Sequence, residues 1–225
     1  MKSFIIHLPH IASSLESAIK TQADLESFGI SAELFEGTDG ISAQDIFEQQ
    51  GRTVHPTNFR GDNSDEKTVA KSMRPGVMGC FYSHYRLWQR CAELNETIGI
   101  FEDDLKIIRP LVPVKFNDVL IVALGAKKRN KNEHYLTNPT GEYRACVYDN
   151  RSMPGTVGYI ITPIAANKLL HCYKNTFLSS DNAINKGVVA IQIHSHVIGD
   201  ANLDKQSLTS SKKFWKNLEE QQQTI

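Results

Sequence analysis

Three carboxylates stand in a row at Glu102-Asp103-Asp104, directly after the apolar run Ile98-Gly99-Ile100-Phe101. Like charges this close repel one another, and a buried strand that ends in them must take part of the cluster out of water. A divalent cation offsets both costs, because hard cations take carboxylate oxygens as ligands. On an extended backbone alternate side chains share a face, so Glu102 and Asp104 are expected to point together and Asp103 away. Two carboxylates on one side suit a cation and a diphosphate. A polar strand end that caps the next element is the plain alternative. His194 and His196 alternate on a strand-like segment and, with Asp200, are expected to complete a metal site opposite Glu102 and Asp104; exposed loop histidines are the other reading. The expected cation is Mn²⁺ or Mg²⁺, since the proposed ligands are mainly oxygens and no Cys/His zinc spacing is present.

A second block precedes the carboxylates. Gly79-Cys80-Phe81-Tyr82-Ser83-His84 opens a helix that continues through Leu87, Trp88 and Cys91. Ser83 and His84 do not make a hydrolase pair, because neighbours on a helix point about 100° apart. No G-x-S-x-G elbow occurs. Gly155-Thr156-Val157-Gly158 lacks the Lys-Ser/Thr of a phosphate loop, and no G-x-G-x-x-G is present. Asp181 lies in an exposed turn before the apolar segment 188–193 and reads, on the residues alone, as a helix N-cap.

The elements that would position these groups alternate. Residues 2–8 form a strand ended by Pro9. Residues 13–28 carry Leu15, Ala18, Ile19, Leu25 and Phe28 at near-helical spacing, with Gly29 where a C′ glycine belongs. Residues 31–35 form a second strand, so the chain opens as a βαβ unit and predicts a parallel sheet. A short helix is expected over 42–50, then a long loop over 51–74 rich in turn formers. Residues 118–124 read as a buried strand, 127–131 as a solvated basic loop, and 143–147 and 155–163 as strands. A helix over 164–173 and an apolar segment over 188–193 follow.

The 225 residues suit one domain with an appendage: 1–210, then an amphipathic tail over 211–225. Lys+Arg and Asp+Glu number 25 each, so no net charge recruits nucleic acid. The four cysteines show no CxxC spacing and read as free thiols. No signal segment opens the chain and no run approaches membrane-span length, so a cytoplasmic protein is expected. Lys212-Lys213-Phe214-Trp215-Lys216 could rest on the inner membrane or pack on the domain.

GVMGCFYSHYRLW followed by IGIFEDDL resembles glycosyltransferase family 25, the lipopolysaccharide (lipooligosaccharide) biosynthesis glycosyltransferases, with their G-x-x-G-C-x-x-S-H-x-x-x-W block and E-D-D strand end. Phe35-Glu36-Gly37-Thr38-Asp39-Gly40, the G-T-x-G-Y strand at 155–161 and Ser180-Asp181 are similar to further family segments in the same order. The resemblance implies an α/β, GT-A-like single domain with a mostly parallel central sheet flanked by helices. It implies a nucleotide-sugar donor, commonly UDP-galactose or UDP-glucose, and a sugar acceptor on lipopolysaccharide or lipooligosaccharide. The E-D-D element then matches a DxD-type motif, with Asp104 bridging a divalent cation to the diphosphate and Glu102 aiding the ribose or the metal. His7, Ser83, His84 and Asp103 are the residues expected to contact the donor. For an inverting reaction Asp181 is the candidate base, with Glu102 the second catalytic carboxylate. The chain departs from the family pattern in having no arginine before Arg52 and Ser179 in place of a proline. A metal-dependent nucleotide-sugar hydrolase or phosphoesterase, and a non-catalytic binding protein of the same fold, are the competing functions.

Overall fold

The computed structural model describes residues 1–55, 72–125, 142–149, 152–153 and 156–201. The basic stretch 127–131, most of the loop expected over 51–74, and the tail 211–225 lie outside the described residues. The elements in order are β1 (Lys2–His7), α1 (Ala12–Ser27), β2 (Glu33–Glu36), α2 (Gly40–Gln49), β3 (Thr53–Val54), α3 (Pro75–Leu94), β4 (Ile98–Glu102), β5 (Leu105–Ile107) and β6 (Val119–Leu124). Then come β7 (Ala145–Val147), β8 (Thr156–Ile161), α4 (Pro163–Cys172), β9 (Thr176–Phe177), α5 (Ser180–Ala183), β10 (Ile191–His194) and β11 (Gly199–Ala201).

The central sheet runs β2-β1-β4-β8-β6-β10-β7. The strands β2, β1, β4, β6 and β10 point one way, while β8 lies antiparallel between β4 and β6 and β7 lies antiparallel at the edge. This is the mostly parallel α/β sheet expected of a GT-A-like domain. The chain opens as the predicted βαβ unit. After α1, the Gly29 N–H bonds the Glu26 carbonyl and the Ile30 N–H bonds the Leu25 carbonyl, the paired bonds of a glycine-terminated helix, with Gly29 at φ +77. The short β5, β9 and β11 were not expected. Each is two or three residues long, too short for a period to show.

Hydrophobic residues divide into two clusters at the sheet. Ile98, Ile100, Tyr159 and Ile161 join Phe81, Leu87, Trp88 and Leu169 in one; Ile5, Phe101, Leu120, Val122 and Ile160 join Ala18 and Leu25 of α1 in the other. Ile100 and Phe101 are consecutive and go to opposite clusters, as the two-residue period requires. Both clusters are needed because a strand buried on both faces must be covered on both.

The helix α3 carries most of the site, and its seat is fixed by close backbone approach. It starts at Pro75, whose missing N–H is harmless at the first helical position, and stops at Asn95 in the left-handed region, φ 51. A Cβ on Gly79 would sit 2.7 Å from the Thr38 carbonyl oxygen and 2.9 Å from Asp39 C and Gly40 N. These are backbone atoms and cannot rotate away. Asp39 caps α2 here, its carboxylate accepting from the Ile41 and Ser42 N–H groups.

Alanine in a helix interior gains roughly 1 kcal/mol over glycine, but overpacking costs about 1–3 kcal/mol. Gly79→Ala is therefore expected to destabilise, by up to about 2 kcal/mol net, read as a lower urea midpoint at unchanged slope. A midpoint at or above wild type would show that α2 and α3 are not in backbone contact.

Candidate functional site

The i, i+4 spacing of a helix puts Cys80, His84 and Trp88 in one row along α3. The row faces β8 and the end of β4. The Trp88 indole N–H donates to the Tyr159 hydroxyl over 2.9 Å, and the same hydroxyl bonds His84 Nδ1 at 2.9 Å. The imidazole stacks on the Tyr159 ring at 5.7 Å between centroids. His84 Nε2 is buried and makes no hydrogen bond; Glu102 Oε1 lies 3.6 Å from it. One ligand atom from each of Cys80, His84 and Glu102 falls within 4.8 Å of the others.

Glu102 is the last residue of β4, paired with Ile6 of β1. Burial, reinforced by the charges of Asp181 and Asp103, pushes its carboxyl up to about 8. Burial pushes the His84 imidazole down to about 4, against the opposing pull of Asp181. Between those values both groups are uncharged, so the 3.6 Å contact is not an ion pair at neutral pH. Burial likewise raises the Cys80 thiol well above its usual range, with Glu102, Asp181 and Asp104 adding to the rise. Three carboxylates thus act on one thiol.

Asp181 reaches the cluster through α5. Ser180 and Cys80 share a 3.2 Å hydrogen bond that ties α5 to α3. Behind α5 the fully buried Asn185 donates from Nδ2 to the carbonyls of Asn182 and Ala183 and to the Tyr173 hydroxyl, fixing the turn. The helix N-cap is Ser179, with Asp181 in the first turn. The capping alternative for Asp181 is therefore corrected.

The acidic triplet is laid out differently from the strand expectation. The strand β4 stops at Glu102, and 103–104 form a turn into β5. Side-chain alternation does not pass through a turn, so it does not pair Asp104 with Glu102. What separates the acids is α1: the Ser14 hydroxyl donates to the Asp103 carboxylate, and the Thr21 hydroxyl bonds the carbonyls of Asp103 and Leu105. Asp103 belongs to the α1 side, while the Asp104 charge acts on Cys80.

Three other expected residues lie differently. The Ser83 hydroxyl donates to the Gly79 carbonyl at 2.7 Å and accepts from the Thr38 N–H at 2.9 Å, so it clamps α3 to the β2–α2 connection. The structure does not bring His194 to the carboxylates: β10 is three strand spacings from β4, about 14 Å. Its Nε2 bonds the Val112 carbonyl and its Nδ1 accepts from the His196 N–H, which leaves no lone pair for a cation. His196 falls past the end of β10 and packs against Tyr143, so the two histidines do not form the expected strand pair. His7 ends β1 beside Glu36, and its Nδ1 is buried without a hydrogen bond.

Cys80, Trp88, Tyr159 and Ser180 had no assigned role from sequence. The i, i+4 relation of Cys80 to His84 and of His84 to Trp88 is the signal that could have found the first two. Nothing in the spacing links Tyr159 or Ser180 to them. The residues present fit a divalent cation: a buried imidazole nitrogen without a hydrogen bond faces a carboxyl that is crowded by negative charge. The ligand set is sulfur, nitrogen and oxygen, softer than the oxygen set expected for Mn²⁺ or Mg²⁺.

Residues 2–184 match the family described as Glycosyltransferase family 25 (LPS biosynthesis protein). All the residues of the cluster fall inside the match, and His194 and His196 fall outside it. Among curated proteins, procollagen galactosyltransferases 1-A and 1-B of Xenopus laevis are each 32% identical over 108 residues, 43% of this chain and 17% of theirs. The matched segment thus spans less than a fifth of those relatives' length.

The buried carboxyl sets a pH dependence. The folded value of Glu102 lies above the unfolded one, so its stabilising contribution is complete below about 4.5 and is lost as pH rises through about 8. His84 runs oppositely: its contribution is complete above about 6.5 and is lost as pH falls through about 4. Without metal, Glu102→Gln is expected to be more stable than wild type near pH ~9 and to lose that advantage near pH ~5. The gain is on the order of 2 kcal/mol, discounted because 30% of the Glu102 side chain stays exposed. Parallel melting curves for the two proteins across that range would show that Glu102 ionises freely.

Proposed function

The chain belongs to glycosyltransferase family 25, and from that premise we propose that it transfers galactose or glucose from a nucleoside diphosphate sugar to a sugar hydroxyl of lipopolysaccharide, with inversion. The observation that carries this reading is the meeting of α3, the end of β4 and α5, where His84, Glu102 and the Asp181 charge converge. The galactosyltransferase relatives support galactose as the first sugar to test.

In an inverting displacement the acceptor oxygen forms its bond to the anomeric carbon as the bond to the diphosphate oxygen breaks. The acceptor proton must go to a base. Asp181 is that base in this reading, because it comes from a separate element, α5, and its charge acts on the Glu102–His84 cluster. Glu102 and Asp104 are the diphosphate-side carboxylates. A divalent cation held there would supply positive charge against the leaving diphosphate. Glu102 holds a proton at neutral pH in the metal-free protein, so it is not the base in that state. His7 is the donor-nucleotide contact, supported by its buried, unbonded Nδ1. His84 stays neutral beside Glu102.

The test is release of nucleoside diphosphate from UDP-galactose and UDP-glucose, with and without lipopolysaccharide acceptor. Acceptor-dependent release is expected; equal release without acceptor would make the protein a hydrolase. Asp181→Asn and Asp104→Asn should each lower transfer by about 100-fold or more, with melting temperature held. A full-rate Asp181→Asn variant would remove Asp181 as the base.

A further inference from the structure

We propose that Cys80, His84 and Glu102 form a binding site for a thiophilic divalent cation of the zinc class, with Cys80 as a thiolate ligand. Three observations carry it. Cys80 and His84 are one helical turn apart on α3, and Glu102 meets them from β4, so two rigid elements present one sulfur, one nitrogen and one oxygen. Their ligand atoms already lie within 4.8 Å of one another. Tetrahedral zinc needs roughly 3.5 Å between ligand atoms, and the His84 Nε2–Glu102 Oε1 pair already stands at 3.6 Å. His84 is buried, and its Nε2 lacks a hydrogen bond and has Glu102 beside it.

The surroundings complete the case. A ligating histidine commonly donates its other ring N–H to an oxygen, which fixes the tautomer. Tyr159 offers that oxygen at 2.9 Å from Nδ1, itself held by Trp88. Mixed sulfur and nitrogen ligands favour zinc over magnesium or manganese, which prefer oxygen. Binding replaces both the Cys80 thiol proton and the Glu102 carboxyl proton with the metal, and both protons leave to solvent. Three protein ligands leave a fourth position open, as in zinc sites that bind a further oxygen. On the transferase reading above, that oxygen belongs to the donor diphosphate.

The test uses the full chain, reduced and stripped with chelator, then titrated with CoCl₂. A sulfur-to-cobalt charge-transfer band is expected, and added ZnCl₂ should abolish it. Cys80→Ser should lose the band, and His84→Gln should weaken zinc binding about tenfold or more. As a readout on the wild-type protein, labelled at a pH alkaline enough for metal-free Cys80 to react, Zn²⁺ should shield Cys80 from iodoacetamide while Cys146 and Cys172 label unchanged. This stays decisive even if Cys80→Ser fails to fold. Absence of a thiolate band, a band retained in folded Cys80→Ser, or equal Cys80 labelling with and without Zn²⁺ would overturn the proposal. None of these measurements uses a sugar donor, so the site can fail while transfer stands, and transfer can fail while the site stands.

Discussion

A carboxyl buried among other carboxyls is the constraint around which this structure is arranged. Glu102 ends a strand packed on both faces, and its side chain enters a region that already feels Asp103, Asp104 and Asp181. Left ionised there, it would cost several kcal/mol in lost hydration. The metal-free protein resolves this by protonation: Glu102 and His84 sit beside one another uncharged. Neutrality is the cheaper state because both groups are shifted by the same burial, one upward and one downward.

Holding the acids in place demands support from elements far apart in sequence. Asp103 is drawn away by Ser14 and the turn is pinned by Thr21, both from α1 on the opposite face of the sheet. Asp181 is placed by Asn185 from behind and by the Cys80–Ser180 contact from the front. Ser83 contributes through structure alone, since its hydroxyl joins α3 to the backbone at Thr38. Gly79 does the same through its missing side chain. Short side chains on α3 allow the close approach that puts Cys80 and His84 over the end of β4.

Most of this fold was legible because its signals are periodic. Strands β4 and β6 are largely apolar runs and β1 carries Phe4-Ile5-Ile6, and α1 and α4 follow helical spacing, so their faces could be read directly. The alternating rule failed at the point where the chain stops being a strand: at 103–104 a turn replaces extension, and α1, not the pleat, decides where Asp103 goes. The histidine pair failed for a different reason. Their spacing was correct for a shared face, but His194 finds the Val112 carbonyl and the His196 N–H across loops that no period predicts. Tyr159 was visible as a motif residue and silent as a site residue, because its partners lie 71 and 75 residues away on a separate helix.

Tyr159 also shows why a hydroxyl is required at that position. The Trp88 indole can only donate, so it occupies one lone pair of the phenol oxygen in every state. The remaining lone pair and the phenol proton both face a single histidine nitrogen at 2.9 Å. When the phenol donates to Nδ1, the ring proton sits on Nε2 and points toward Glu102. When the phenol accepts from Nδ1–H, the Nε2 lone pair is exposed toward the carboxylate and the thiol. Phenylalanine could fill the space and offer neither, and it would strand the buried Trp88 N–H at a cost of about 1–3 kcal/mol. The tyrosine therefore keeps the imidazole in one orientation while its proton changes sides.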